Sequence, residues 1–562
     1  MRITDTADLW YKNAVVYCVD LETYLDSNGD GIGDIPGLAQ RIDYLADIGV
    51  SCLWLMPFYP SPRRDNGYDI ADMFGVDDRY GDHGDFVELV RVAHDRGIRV
   101  IIDLVINHTS DQHPWFRKAR ASKSSPYRDF YVWRSDTPPE TSGEAMFPGA
   151  EDGIWTYEEK TQEWYLHHFL HTQPDLNTAN PQVRDAIAKT MGFWLQLGVD
   201  GFRVDAVPFA ISQTTLTGSD DHELLEPHDY LRTLRSFLQR RVSGTSSAIL
   251  LGEVNLPHQE QLAFFGDDGG QLTMQFDFVV NQKAFLSFAR EDAGPLAEAL
   301  GRRPRGLPTE TQYANFLRNH DELTLNLLTA EEREEVLDTF GPDEEMRFAG
   351  RGLRRRLPSM FDGDPRQIKM AYSLLFSLPG TPVLFYGEEI GMGENLDVPG
   401  REAVRTPMQW TTDKNGGFSS ARPSRLARRV VEGPFGPQHV NAAAARRDED
   451  SLLQHITRLA KRYRDSPELG WGELDILDQP HREVLAHRMV CEDQAMVLLH
   501  NLSPKSMVVP LELVNEEEGT ELIDLLQDGG CAIDAEHRTE VTLQGYGYRW
   551  FRVKRASDPR LV

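Results

Sequence analysis

The sequence predicts an α/β fold: a (β/α)8 barrel with a small domain inserted after its third strand and an all-β domain toward the C-terminus. Three observations carry that reading. Short apolar runs alternate with amphipathic stretches over roughly the first four hundred residues. Several of those runs are continuously apolar, which suits strands buried on both faces. Beyond a helical pattern at Ser451–Tyr463, the chain reads as short strands separated by turn residues.

The strand runs of the first part are Val15–Val19, Cys52–Pro57, Arg99–Val105, Gly201–Asp205, Ile249–Glu253, Leu272–Phe278, Tyr313–Leu317 and Pro382–Tyr386. Helical patterns lie between them at Pro36–Ile48, Asp85–Arg96, Pro181–Leu197, Asp229–Val242, Gln282–Leu300 and Pro365–Leu378. Asn180-Pro181 opens one of these with a capping residue followed by proline at the first helical position. Eight strands with helical crossovers fit a closed barrel at least as well as an open doubly wound sheet. The third crossover is interrupted by a stretch rich in Pro, Ser, Trp and Tyr, too long for a plain loop. We therefore divide the chain into a barrel (1–108 and 178–465), an inserted domain (109–177) and a C-terminal β-sandwich domain (466–562). Ser420–Arg447 is rich in Arg, Pro and Ala with no strand period. The last domain rests on Val484–Val490, Ala495–Asn501, Ser506–Leu511, Val541–Leu543 and Tyr548–Val553.

Composition narrows the function. The 562 residues are 40% hydrophobic and 26% charged, an ordinary globular mixture that excludes disorder and coiled coil. Lys+Arg 59 against Asp+Glu 88 gives a net charge of −29, which repels phosphate backbones and anionic lipid, so nucleic acid and membrane are not expected partners. The most apolar stretch, Ala371–Gly387, is broken by Ser377, Pro379, Gly380 and Pro382. Met1-Arg-Ile-Thr-Asp-Thr6 has no signal-peptide pattern. Cys18, Cys52, Cys491 and Cys531 are unclustered, as reduced thiols are. A soluble, acidic, cytoplasmic protein is expected.

In a barrel of this kind the reacting groups stand at the carboxyl ends of the strands. Those ends read Asp103-Leu-Val-Ile-Asn107-His108, Gly201-Phe-Arg203-Val-Asp205, Gly252-Glu253 and Arg318-Asn-His320-Asp321. Arg203 and Asp205 are two apart, so both face the barrel mouth, and a guanidinium beside that carboxylate favours the ionised form a nucleophile needs. Glu253 follows the apolar run Ala248–Leu251, and partial burial keeps a carboxylic acid protonated, as a general acid requires. Two carboxyls of opposite protonation are the tools of glycoside cleavage. Taken singly, each could be a polar strand end pairing locally.

With these four strand-end motifs in this order, the chain resembles the alpha-amylase family, glycoside hydrolase family 13, from about Trp10 to about Ser420. The resemblance implies Asp205 as nucleophile, Glu253 as acid/base and Asp321 as a third carboxylate that stabilises the distorted sugar ring. It implies His108 and His320 as hydrogen-bond partners of sugar hydroxyls, Tyr68 stacked under the glucose, and Asp65 with Arg405 gripping the 4-hydroxyl of a non-reducing end. Phe147 would wall the same pocket, whereas Trp155, Tyr157, Trp164 and Tyr165 are expected in the inserted domain's own core. Gln173-Pro-Asp-Leu-Asn177 resembles the oligo-1,6-glucosidase branch of the family. Within that branch, Asp103–Phe116, Phe316–Thr324 and Arg401–Trp410 are most similar to trehalose synthases. Pro208–Gln213, Glu253–His258 and Met274–Phe278 depart from that pattern. Ala206 stands where members acting on α-1,6 bonds carry valine, which implies preference for α-1,4 linkages.

The expected enzyme is a retaining α-glucosyl enzyme acting on the non-reducing end of small α-1,4-glucosides such as maltose, with transfer to give trehalose and some hydrolysis. An exo-acting α-glucosidase, or a transglucosylase to another acceptor, fits the same residues. A non-catalytic binding subunit does not, since such family members lose the carboxylates. The segments Thr109–Asp175 and Thr329–Asp364 are the candidates to cover the acceptor side. No organic cofactor is expected. Asp26, Asn28, Asp30, Ile32 and Asp34 place oxygens at alternate positions among glycines, which suits a structural Ca2+ or Mg2+; Gly37 at the twelfth position rules out an EF-hand. A second calcium at Asn107 and Asp175 is not expected.

Overall fold

The computed structural model describes residues 9–141, 144–147, 149–212, 228–241 and 247–555. Met1–Thr6, Gln213 and Val242, named above, lie outside the described residues, as do the ends of the first and last predicted domains.

Eight parallel strands close into a barrel: β1 (Val16–Val19), β2 (Cys52–Leu55), β3 (Arg99–Val105), β4 (Gly201–Asp205), β5 (Ile249–Gly252), β6 (Met274–Phe276), β7 (Gln312–Phe316) and β8 (Thr381–Phe385). Each pairs with its sequence neighbour, and β1 closes the ring on β8 with Val16 opposite Val383. The closed barrel settles the choice against an open sheet. β1, β2, β4, β5, β6, β7 and β8 are buried at every residue, which is why several of them, β1, β2 and β5 above all, are apolar without alternation. One continuous hydrophobic cluster joins the barrel strands to the surrounding helices.

Two predicted helices are each broken in two. Pro36–Ile48 becomes Ile35–Ala39 and Ile42–Ile48, because Arg41 leaves helical geometry at ψ 4°. Gln282–Leu300 becomes Phe278–Arg290 and Gly294–Gly301; Glu291 takes a left-handed conformation and Pro295 sits in the first turn of the second helix. Helix periodicity runs across both breaks, so the apolar pattern alone does not reveal them.

The segment between β3 and the helix Pro181–Gln196 carries a three-stranded antiparallel sheet, with Glu163–Leu166 between Trp133–Arg134 and Trp155–Glu158. It returns to the barrel through bridges pairing His108 with Asp175 and Tyr131 with Leu176. Toward the C-terminus a six-stranded sheet packs against the pair Met507–Glu512 and Arg538–Leu543 over a shared apolar layer. Three of its strands, Glu473–Ile476, Glu521–Asp524 and Gly530–Ala532, escape the sequence reading because they are short and half-exposed edge or near-edge strands. All four cysteines are free. Among the described residues no helix is long and apolar enough to cross a membrane.

Candidate active site

Strand alternation sets the site. On β4, Phe202 and Val204 pack outward, whereas Arg203 and Asp205 point to the barrel axis. There Arg203 meets three carboxylates. Its Nη1 donates to Asp103 Oδ1 at 2.5 Å and Asp205 Oδ1 at 2.6 Å, and its Nη2 donates to Glu253 Oε2 at 2.5 Å. The guanidinium lies over the rings of Trp54 and Tyr68, and Trp54 Nε1 donates to the other oxygen of Asp103. Three buried carboxylates thus share one cation. Burial outweighs its attraction, and the group is held high: Asp205 is pushed up to about 6, Asp103 to about 6 and Glu253 to about 7. Arg203 does favour the ionised form of Asp205, as the sequence argument has it, but burial outweighs that contribution. All three carboxyls are thereby raised toward neutrality, where one can hold a proton while another is ionised.

A second cluster has the opposite balance. Asp65 and Asp321 face Arg401 and Arg405. Arg401 donates to Asp65 Oδ1 at 2.5 Å and approaches Asp321 Oδ1 at 2.9 Å; Arg405 donates to the same Asp321 oxygen at 3.0 Å and to the His320 carbonyl at 2.7 Å. Asp321 is held well below the usual carboxylate range despite its burial, with Arg401 the largest of the opposing charges, and Asp65 is lowered likewise. The expected Asp65–Arg405 grip is therefore corrected: Arg401 makes that contact. The 3-10 turn Gly400–Val404 carries Arg401 over the pocket and leaves Arg405 fully buried behind it.

Both clusters open on one cavity of about 210 Å³. Asp65, Tyr68, His108, Phe147, Asp205, Glu253 and Asp321 line it, as does Ala206. Gln173, Arg203, His320 and Arg405 stand behind the wall instead. Gln173 Nε2 donates to Asp65 Oδ2 at 3.0 Å and lies 3.0 Å from His108 Nε2. His320 is fully buried, its Nε2 shared between Tyr68 Oη at 2.9 Å and Asp321 Oδ2 at 3.1 Å. It positions those two groups and does not face the cavity, contrary to the expectation that it touches sugar. Burial holds it near 4 and lowers His108 too, so both rings are neutral. Phe147 packs with Phe169 and under the Arg401 guanidinium. Both predicted covers contribute: Met146, Phe147 and Phe169 come from the insertion, and Arg351 from the segment after β7.

The Asp26–Asp34 loop lies apart from this cavity. Asp26 accepts from the backbone N–H of Asn28, Gly29 and Gly31 and from Ser419 Oγ; Asn28 and Asp30 each accept from the N–H two residues on; Asp34 caps Ile35–Ala39 through Gly37 N. Among the described residues no cluster of three or more His, Cys, Asp or Glu side chains is gathered for a metal. Asp175 is tied to His168 and Asn107.

A closed barrel that gathers Asp205 and Glu253 in a single pocket has the carboxyl pair that enzymes cleaving or transferring sugars use. The chain belongs to the alpha-amylase family: the family model for the alpha-amylase catalytic domain matches residues 21–339 and 353–472, and that for the sucrose hydrolase-like C-terminal domain matches 494–552. It is an enzyme of the glycoside hydrolase and transglucosylase type. Within the family it is similar to the trehalose synthase of Pimelobacter sp. (strain R48), 39% identical over 98% of this chain and 96% of that one. The trehalose synthase/amylase of Mycolicibacterium smegmatis is 40% identical over 99% of this chain and 95% of the relative. Among solved structures, the alpha-amylase from H. orenii is 26% identical with a TM-score of 0.77, covering 97% of this chain and all of that one.

Proposed function

We propose that the protein isomerises maltose to trehalose as a retaining α-glucosyl enzyme, with part of the glucosyl flux lost to water. The observation that carries the reading is the couple Asp205–Glu253, held by one guanidinium in a pocket whose far end is closed by Asp65, Arg401 and Asp321. That end admits the terminal glucose of a non-reducing end and no sugar beyond it. The Asp205 carboxylate attacks C1 as the C1–O4 bond breaks, and Glu253 gives its proton to O4 of the leaving glucose. The glucosyl ester then forms a new bond from C1 to O1 of the released glucose. Glu253 takes the proton from that hydroxyl and Asp205 leaves as carboxylate, so the catalyst is restored. Near-full-length similarity to trehalose synthases supports transfer over simple hydrolysis. Incubation with maltose and isotope-labelled free glucose tests it: unlabelled trehalose is expected, and glucose as sole product from the earliest times would leave an α-glucosidase.

Ala206 supports preference for α-1,4 linkages. Its methyl group lines the cavity immediately after Asp205, at a left-handed φ of 46°. Maltose should exceed isomaltose in kcat/KM, and the reverse order would refute the preference.

The Asp26–Asp34 loop we assign to a structural Ca2+. Asn28 Oδ1, Asp30 Oδ1 and Asp34 Oδ1 each accept one backbone N–H and keep a lone pair for a cation. Both oxygens of Asp26 already accept two hydrogen bonds and would have to exchange one for the metal. Asp26, Asn28, Asp30, the Ile32 carbonyl and Asp34 would hold it. Chelation should lower Tm and added Ca2+ restore it; a metal-free protein with unchanged Tm would exclude the site. Free cysteines suit a reducing cytoplasmic location.

A further inference from the structure

The alpha-amylase match is interrupted between 339 and 353, and the interrupted segment reaches the active pocket. Arg347–Phe348 and Gly352–Leu353 form a tight hairpin joined by Ala349, Gly350 and Arg351, the first two with φ of 49° and 62°. Two successive residues with positive φ reverse the chain sharply and leave Arg351 as the last residue of the turn. The hairpin then adds to Leu323–Thr324, with Leu323 opposite Leu353 and Thr324 opposite Gly352. Gly352 permits the close approach, since a Cβ there would stand 2.4 Å from the Leu323 carbonyl oxygen. Register is therefore pinned on both sides of residue 351. The N–H of Arg351 donates to Phe348 O, and its carbonyl accepts from Leu325 N at 2.9 Å.

That backbone frame delivers the Arg351 guanidinium to the cavity wall. One Nη donates to Glu322 Oε1 at 3.2 Å, while the buried Nε has no hydrogen-bond partner among the described residues. Arg351 bonds neither the Arg203 cluster nor the Asp65–Arg401–Asp321 end. It lines the cavity together with Glu322, Thr324 and Asn326, none of which is assigned to the donor glucose. A guanidinium with spare donors next to a carboxylate offers donor and acceptor side by side, the complement of neighbouring hydroxyls on a sugar.

We propose that Arg351, with Glu322, is a specificity-determining residue that binds the acceptor sugar and holds it for attack on the glucosyl-enzyme. This deepens the proposed function, because it names the residue that would keep the released glucose from leaving. It also explains why a segment outside the family match should reach so far into the site.

The test uses p-nitrophenyl α-glucoside as donor and free glucose as added acceptor. Glucose alters nitrophenol release by occupying the acceptor side, whether it accelerates turnover through transfer or slows it as an inhibitor. For Arg351→Met the glucose concentration giving half that effect should rise about tenfold or more, while release without glucose falls by about threefold at most. Arg351→Lys, which keeps a donor, should fall between wild type and Arg351→Met. An unchanged glucose response in Arg351→Met would overturn the proposal. So would an equal loss of both quantities, the pattern of a merely structural residue. Product identity from maltose is read separately: a wild type that forms no trehalose refutes the isomerase reading and leaves the glucose response of Arg351→Met to decide this one.

Discussion

Two carboxylate clusters face the same cavity with opposite electrostatics. Around Arg203, one cation serves Asp103, Asp205 and Glu253, and all three are held high. Around Arg401 and Arg405, two cations serve Asp65 and Asp321, and both are held low. Burial is common to the two clusters, so the ratio of cations to carboxylates makes the difference. The first cluster can exchange protons near neutrality, as a nucleophile and an acid must. The second stays ionised throughout and can only grip. Chemistry and recognition are thereby separated within one pocket.

Replacing members of the two clusters should therefore fail in different ways. Asp205→Asn removes the nucleophile, and kcat should fall about 10⁴-fold with the fold intact by circular dichroism. Near-normal turnover would break the assignment. Arg203→Met strips the first cluster of its cation. Activity should drop about 10²- to 10³-fold, and the acidic limb of the pH profile should move upward as Asp205 becomes harder to ionise. A limb left in place would show that Arg203 does not set it. Arg401→Met weakens the grip instead. We expect kcat/KM to fall about 10- to 10²-fold with both pH limbs unmoved, and a shifted limb would merge the two clusters into one.

The smallest effect needs no substitution. The proposed mechanism requires Asp205 ionised and Glu253 protonated. As pH falls through about 6, Asp205 takes up a proton and activity is lost; as pH rises through about 7, Glu253 releases its proton and activity is lost again. A narrow bell with its summit between those values should appear in kcat/KM for maltose. A plateau extending well above pH 8 would contradict the role given to Glu253.

Legibility in the sequence followed the same division. Barrel strands were readable because burial on both faces makes most of them largely apolar, and the first cluster was readable because its members lie at or near the carboxyl ends of those strands. The second cluster was only half readable. Asp321 closes a strand motif, but the partner of Asp65 depends on how the 3-10 turn Gly400–Val404 orients two arginines four residues apart, and sequence spacing does not distinguish them. Arg351 was hidden for another reason. Its hairpin is two residues per strand, too short to show a strand period, and Arg351 lies in the turn Ala349-Gly350-Arg351 that joins them. The breaks at Arg41 and Glu291 were hidden by apolar periodicity that continues across them.

The central claim is that Asp205 carries the sugar, and trapping tests it most directly. A 5-fluoro-α-glucosyl fluoride slows release of the glucosyl-enzyme more than its formation, so the ester should accumulate and survive proteolysis. Mass spectrometry is expected to find one fluoroglucosyl group per chain, on the peptide containing Asp205. A label on Glu253, or turnover of the reagent with inverted configuration and no label, would contradict the account.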